Sequence, residues 1–186
     1  MADVPFSQIV SLACHDLRTP LATVSGFAKT LHRTEGLDDR STQFAGMIDT
    51  AAGELAKLLD ELSILALVES GRYGPVLTEA DTLELATTAD ERVSAAGSGE
   101  TIKTDPPAVR RSLAALAVAA SRYGGVGRVE WTVSGRDLRL EPVTAEAAPV
   151  VSAAEIRDFG SVVARRVIEA LGGSVALDGG ALLVRL

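Results

Sequence analysis

His15, Asp16 and Thr19 fall within the run Cys14-His15-Asp16-Leu17-Arg18-Thr19-Pro20-Leu21, and their types suit one kind of chemistry. A neutral imidazole is a nucleophile near neutral pH. A neighbouring carboxylate fixes its tautomer by accepting the proton on one ring nitrogen, which leaves the other nitrogen's lone pair for attack. Asp16 is placed to be that carboxylate. Thr19, one helical turn on, can hold a water in line with a phosphoryl group, whose transfer needs positioning more than covalent help. Arg18 suits either neutralisation of phosphate oxygens or a bond to a second helix.

Positioning these groups falls to a long helix. Phe6, Ile9, Val10, Ala13, Leu17, Leu21, Val24, Ala28 and Leu31 recur at three- and four-residue steps, which predicts a helix from about Val4 to Arg33 with a buried apolar stripe. His15 falls off that stripe and shares a face with Thr19, Ala22, Thr23 and Gly26. Pro20 removes a backbone donor and frees the carbonyl of Asp16, which predicts a bend beside His15. Residues Thr34 to Ser41, with Gly36, Asp38 and Asp39, read as a turn. A second helix follows, with Phe44, Met47, Ile48, Ala51, Leu55, Leu58, Leu59, Leu62 and Leu65 on one stripe. Two helices cannot bury two such stripes by themselves. A two-fold dimer closing a four-helix bundle is the expected solution, with a monomeric hairpin packed on its own C-terminal half as the alternative.

Composition bounds the rest. The 186 residues are 47% hydrophobic, enough for one or two globular cores, and no apolar run reaches membrane-spanning length. A net charge of -7 excludes nucleic acid and anionic membrane as expected partners, leaving proteins and small molecules. Cys14 is the lone cysteine, and the N-terminus lacks the order of a signal peptide, so a cytoplasmic location is expected.

Glu69-Ser70-Gly71-Arg72-Tyr73-Gly74-Pro75 breaks the helical rhythm and divides the chain into expected domains 1–70 and 71–186. Beyond it the sequence predicts a strand near Val76 and Leu77, a helix from Asp81 to Ala95, a loop at Gly97 to Gly99 and a strand at Thr101 to Lys103. A helix then opens at Asp105-Pro106-Pro107 with Val109, Leu113, Leu116, Ala117 and Ala120 on its apolar side. Val129, Trp131 and Val133 alternate in a strand that turns at Ser134 to Asp137 into a partner carrying Leu138 and Leu140. Val143 to Val151 reads as loop. A last helix stops at Gly172 and Gly173, before a hairpin of Ser174 to Asp178 and Ala181 to Leu186. The predicted class is α+β: a helical hairpin forming a dimeric four-helix bundle, then an α/β sandwich.

The run from His15 to Leu21 resembles the phosphoacceptor box of two-component histidine kinases: His, an acid, Leu, Arg, Thr, Pro, Leu. The resemblance implies that His15 is the phosphorylated residue, with Asp16 assisting transfer and Thr19 assisting dephosphorylation of a response regulator. The second half is similar in order to the ATP-binding domain of those kinases, most clearly from Phe159 to Gly173. Its nucleotide motifs are altered. Ala115 and Ala119 occupy the two asparagine positions of the metal-binding helix, and the chain contains no asparagine. Pro142, Val143 and Thr144 stand in place of an Asp-x-Gly-x-Gly box, and Asp158 replaces the first glycine of the next box, which keeps Gly160. The second domain therefore reads as a degenerate ATPase-like sandwich. ATP, Mg²⁺ and any other cofactor are not expected on this chain, any Mg²⁺ arriving with the partner.

The expected function is that of a histidine phosphotransferase, with His15, Asp16 and Thr19 as the reacting set. A receiver domain of a response regulator would dock along Arg18, Thr23, Gly26, Phe27 and Thr30. The alternatives are a working sensor-kinase core and a pseudokinase scaffold. His32 reads as a helix-end cation, Cys14 as a packed small residue, Trp131 as core, and Arg165 and Arg166 as surface groups.

Overall fold

The computed structural model describes residues 6–34 and 36–186, so Val4, the expected start of the first helix, lies outside it. The chain divides into two compact units, Met1–Arg72 and Tyr73–Leu186.

The first unit is a hairpin of α1 (Phe6–Arg33) and α2 (Asp39–Glu69). The turn between them contains Gly36 at φ +85°, a conformation that a side chain would resist. α2 starts inside the segment expected to be turn, because Asp38 caps it. The Asp38 carboxylate accepts from the backbone N–H and the hydroxyl of Ser41, both at 2.9 Å, and these bonds hold it below the usual carboxylate range. α1 runs through Pro20 without interruption.

The seam between the helices is built from small and polar groups. Cys14, Ala28, Ala45, Ala52 and Ala66 are buried. Ser25 donates to Asp49 at 2.8 Å, Lys29 reaches the same carboxylate at 3.8 Å, and Arg18 bonds Asp60 at 2.8 Å. The large apolar side chains expected on a buried stripe stay exposed in the single chain: Phe6, Ile9, Leu17, Val24 and Leu31 on α1, and Phe44, Ile48, Leu55 and Leu58 on α2.

In the second unit, β1 (Thr78–Asp81) pairs antiparallel with β3 (Thr101–Thr104). A five-stranded mixed sheet runs in the order β2 (Val93–Gly99), β4 (Val129–Gly135), β5 (Asp137–Glu141), β7 (Ala181–Arg185) and β6 (Ser174–Asp178), with only β2 and β4 parallel. The helices are α3 (Thr82–Ala86), α4 (Pro106–Gly124), α5 (Ala148–Val151) and α6 (Phe159–Ala170). Trp131, Leu113, Leu116, Leu140, Ile168 and Val184 share one core between sheet and helices. α4 opens as the sequence predicts, with Asp105 as its cap and prolines at its first turn.

Four expectations fail here. The first strand lies at Thr78–Asp81, and Val76 and Leu77 are exposed ahead of it. The helix expected from Asp81 to Ala95 stops at Ala86. After it, Asp90 takes the backbone N–H and guanidinium of Arg92, which pulls its carboxyl down to about 2, in a turn that feeds β2. The supposed loop 97–99 is the end of that strand. Gly97 sits at φ +122° with the backbone carbonyl of Val133 where a Cβ would stand, so only glycine admits the pairing. Finally, the stretch Val143 to Val151 contains α5 and buries Val143, Ala147, Val150 and Val151.

Candidate functional site

His15 projects from α1 with 78% of its side chain exposed, and its Nδ1 lies 3.1 Å from Oδ1 of Asp16, itself 67% exposed. A carboxylate can only accept, so this bond assigns the proton to Nδ1 and leaves the Nε2 lone pair facing outward. The adjacent acid thus sets the tautomer that a nucleophilic imidazole needs.

At 3.6 residues per turn, Thr19, Thr23, Gly26 and Thr30 all lie within about 80° of His15 around the helix axis. All four are exposed. Thr23 donates to the carbonyl of Thr19 at 3.1 Å and Thr30 to that of Gly26 at 2.9 Å, so both hydroxyls are turned back on the helix. A Cβ added at Gly26 would meet nothing within 4 Å. Gly26→Ala is therefore expected to stabilise the hairpin by about 0.5–1 kcal/mol, read as a higher denaturant midpoint. No gain in midpoint would mean that a helical backbone is not what limits stability there.

Two of the docking residues expected from sequence sit elsewhere. Arg18 turns toward α2, donating to Asp60 at 2.8 Å and to the Ser63 hydroxyl at 3.1 Å, so it braces the hairpin. Phe27 lies about 120° round the helix from His15, on the line of Ile9, and borders the exposed apolar stripe. Asp60, Ser63 and Asp49 were missed by sequence reasoning. No local signal points to them, because these pairs depend on the register between the two helices. Between the helices, on the flank of the His15 face, runs a furrow of about 380 Å³ lined by Arg18, Ala22, Ser25, Lys29, Gly53 and Asp60, among others.

In the second unit, Ala119 of α4 is buried and Ala115 half-buried, both within the core packing. Val143 after β5 gives its N–H to Gly180 at 2.8 Å, and Thr144 starts a turn whose carbonyl accepts from Ala147 and Ala148. Asp158 caps α6, taking the Ser161 N–H at 2.8 Å and its hydroxyl at 3.0 Å. The Tyr123 hydroxyl ties the end of α4 to the Arg157 carbonyl at 2.8 Å. Arg165 bonds Glu169 and the Ser152 carbonyl. Trp131 is fully buried, as expected of core. Among the described residues, no three of His, Cys, Asp and Glu converge where a cation could sit, and no helix is long and apolar enough to cross a membrane.

Residues 7–71, the whole hairpin with His15 on its outer face, match the His Kinase A (phospho-acceptor) domain. The likeness to that family is confined to the hairpin, a little over a third of the chain. The sensor protein DivL of Caulobacter vibrioides is 28% identical over 78 residues, which are 42% of this chain and 10% of DivL. The full-length crystal structure of ShkA in complex with AMPPNP shares the fold over 95% of this chain and 44% of its own, at 19% identity and a TM-score of 0.70. The histidine kinase AdeS of Acinetobacter baumannii does so over 91% of this chain and 94% of its own, at 18% identity and a TM-score of 0.55. The hairpin and the mixed-sheet unit thus share the fold of these two structures. The chain spans only a tenth of the length of DivL and under half that of ShkA.

Proposed function

We propose that the chain is a histidine phosphotransferase that carries a phosphoryl group on His15 between receiver aspartates, as a homodimer. What supports this reading is the contrast between its two units: His15, bonded to Asp16, and Thr19 lie exposed on α1, whereas Ala115, Ala119 and Asp158 stand where the family resemblance puts nucleotide-binding residues. In the transfer, Nε2 of His15 attacks the phosphorus of a receiver's aspartyl phosphate. The P–N bond forms as the P–O bond breaks, and the aspartate leaves with the electron pair. The proton stays on Nδ1, held by Asp16, and the reverse step delivers the group to a second receiver. The outward arc of Thr19, Thr23, Gly26 and Thr30 would meet that receiver, and Thr19 would hold a water when the regulator is dephosphorylated.

ATP and Mg²⁺ do not fit the second unit. Mg²⁺ takes oxygen ligands, and α4 offers Ala115 and Ala119 where the family resemblance puts asparagines. Instead of glycines that admit a phosphate, the segment 142–151 packs valines and alanines into the core. Asp158 already takes the Ser161 amide at the start of α6, where a phosphate would otherwise bind, and adds a negative charge there. Dimerisation is supported by the exposed stripes on α1 and α2, which a second hairpin would cover. The response regulators enter as partners through the phospho-acceptor domain.

The second reading is an ATP-dependent histidine kinase core. It is supported by the likeness in fold to ShkA, solved with AMPPNP, and to the histidine kinase AdeS. One experiment separates the two. Purified chain is given labelled ATP with Mg²⁺ in one arm and a phosphorylated receiver in the other. Label from the receiver alone is the expected result. Label from ATP would replace this reading with the kinase, and label from neither, across a panel of receivers, would leave a scaffold.

A further inference from the structure

We infer that Asp105 is a latch that sets the length of the tether between the two units, a device independent of the direction of phosphoryl flow. α2 ends in a complete left-handed cap. Gly71 lies at φ +66°, its N–H bonds the Val68 carbonyl at 3.0 Å, and the Arg72 N–H bonds that of Leu67 at 2.9 Å. This is the paired arrangement that closes a helix C-terminus, so the chain is fixed by the hairpin as far as Arg72. From Tyr73 onward it is fixed by the other unit. One oxygen of Asp105 caps α4 through the Ala108 N–H at 3.2 Å. The other accepts from the Val76 N–H at 3.1 Å and the Tyr73 hydroxyl at 3.3 Å. Burial and the Asp105 charge push the Tyr73 phenol up to about 12, so it remains a donor at any ordinary pH.

The two anchors leave no free residue between them. While the latch is closed, the joint consists of the torsions at Arg72 and Tyr73. When it opens, residues 73–77 keep no other hydrogen bond among the described residues before β1 begins at Thr78, and Val76 and Leu77 are already exposed. Those five residues then become tether, adding up to roughly 17 Å of reach at about 3.4 Å per residue. The same carboxylate caps α4, so the joint and the start of that helix are tied to a single side chain.

The test uses the full chain and an isosteric change. Asp105→Asn keeps an oxygen for the α4 cap, since asparagine caps about as well as aspartate, but turns the other oxygen into a donor facing two donors. The expected result is an increase of about tenfold or more in amide exchange at Val76 and in tryptic cleavage after Arg72, the loss expected for a hydrogen bond to a charged group. Protection at Ala108 and Val109 should hold. An unprotected Val76 amide in the wild type, or both rates unchanged in the variant, would overturn the latch. If α4 loses protection as well, Tyr73→Phe decides, because it leaves the cap untouched: faster cleavage after Arg72 supports the latch and an unchanged rate overturns it.

Discussion

Phosphoryl label on the chain is expected to fall to background when His15 is replaced by Gln, whichever donor supplies it. Glutamine approximates the length of histidine and keeps a hydrogen-bonding group for Asp16, but its amide nitrogen has no lone pair available for attack. The helix should be unaffected, because His15 is exposed and its side chain bonds Asp16, its neighbour on the same helix. Asp16→Asn tests the companion role. It preserves shape while removing the charge that selects the Nδ1–H tautomer and that stabilises the imidazole as it gains the phosphoryl group. A slowing of about 10²-fold is expected, the lower end for a lost proton-holding partner. Both are read by quench-flow with a phosphorylated receiver. Acid-labile label persisting on His15→Gln would move the carrier elsewhere, His32 being the other imidazole. An Asp16→Asn rate equal to wild type would reduce that carboxylate to a solvated neighbour.

How legible each element was follows from what fixes it. α1, α2 and the hairpins β4–β5 and β6–β7 are set by local signals, namely helical periodicity, strict alternation and paired turn glycines, so they could be read directly. β2 could not. Its sequence from Val93 to Gly99 is small and weakly alternating, and it is a strand because β4 pairs with it and Gly97 admits the close approach. The same holds for α5, whose valines are core only because the fold brings α4 against them. At the site, His15, Asp16 and Thr19 were plain from a contiguous run, since helix geometry alone places them. Arg18 was not, because its partners are more than forty residues away and depend on the hairpin register. The apolar stripes were also visible, but periodicity cannot say which surface buries a stripe. The hairpin seam goes to Cys14 and the alanines, whose small size lets the helices approach, and the bulky side chains are left over.

That leftover surface makes the second large prediction. Val24→Asp is expected to convert a dimer to a monomer with a strongly weakened hairpin. Val24 sits about half a turn from His15, in line with Phe6, Leu17 and Leu31, so a partner hairpin laid on this stripe would bury it. A two-fold axis places the introduced aspartate in the seam twice, near its symmetry copy. Burial of an unpaired carboxylate costs several kcal/mol, so a dissociation constant raised by about 10³-fold or more is expected, measured by sedimentation equilibrium. Leu55→Asp should act alike from α2, because Leu55 lies exposed on the matching stripe. Lys57→Glu is the control: it is exposed and lies about 160° round α2 from Leu55, away from the stripe. Its mass should stay dimeric. A wild type that is monomeric at micromolar concentration, or a Val24→Asp that remains dimeric, would show that the stripe is not the dimer seam. The four-helix bundle would then have to close on some other surface, and the phospho-acceptor faces would have to be counted per chain rather than per pair.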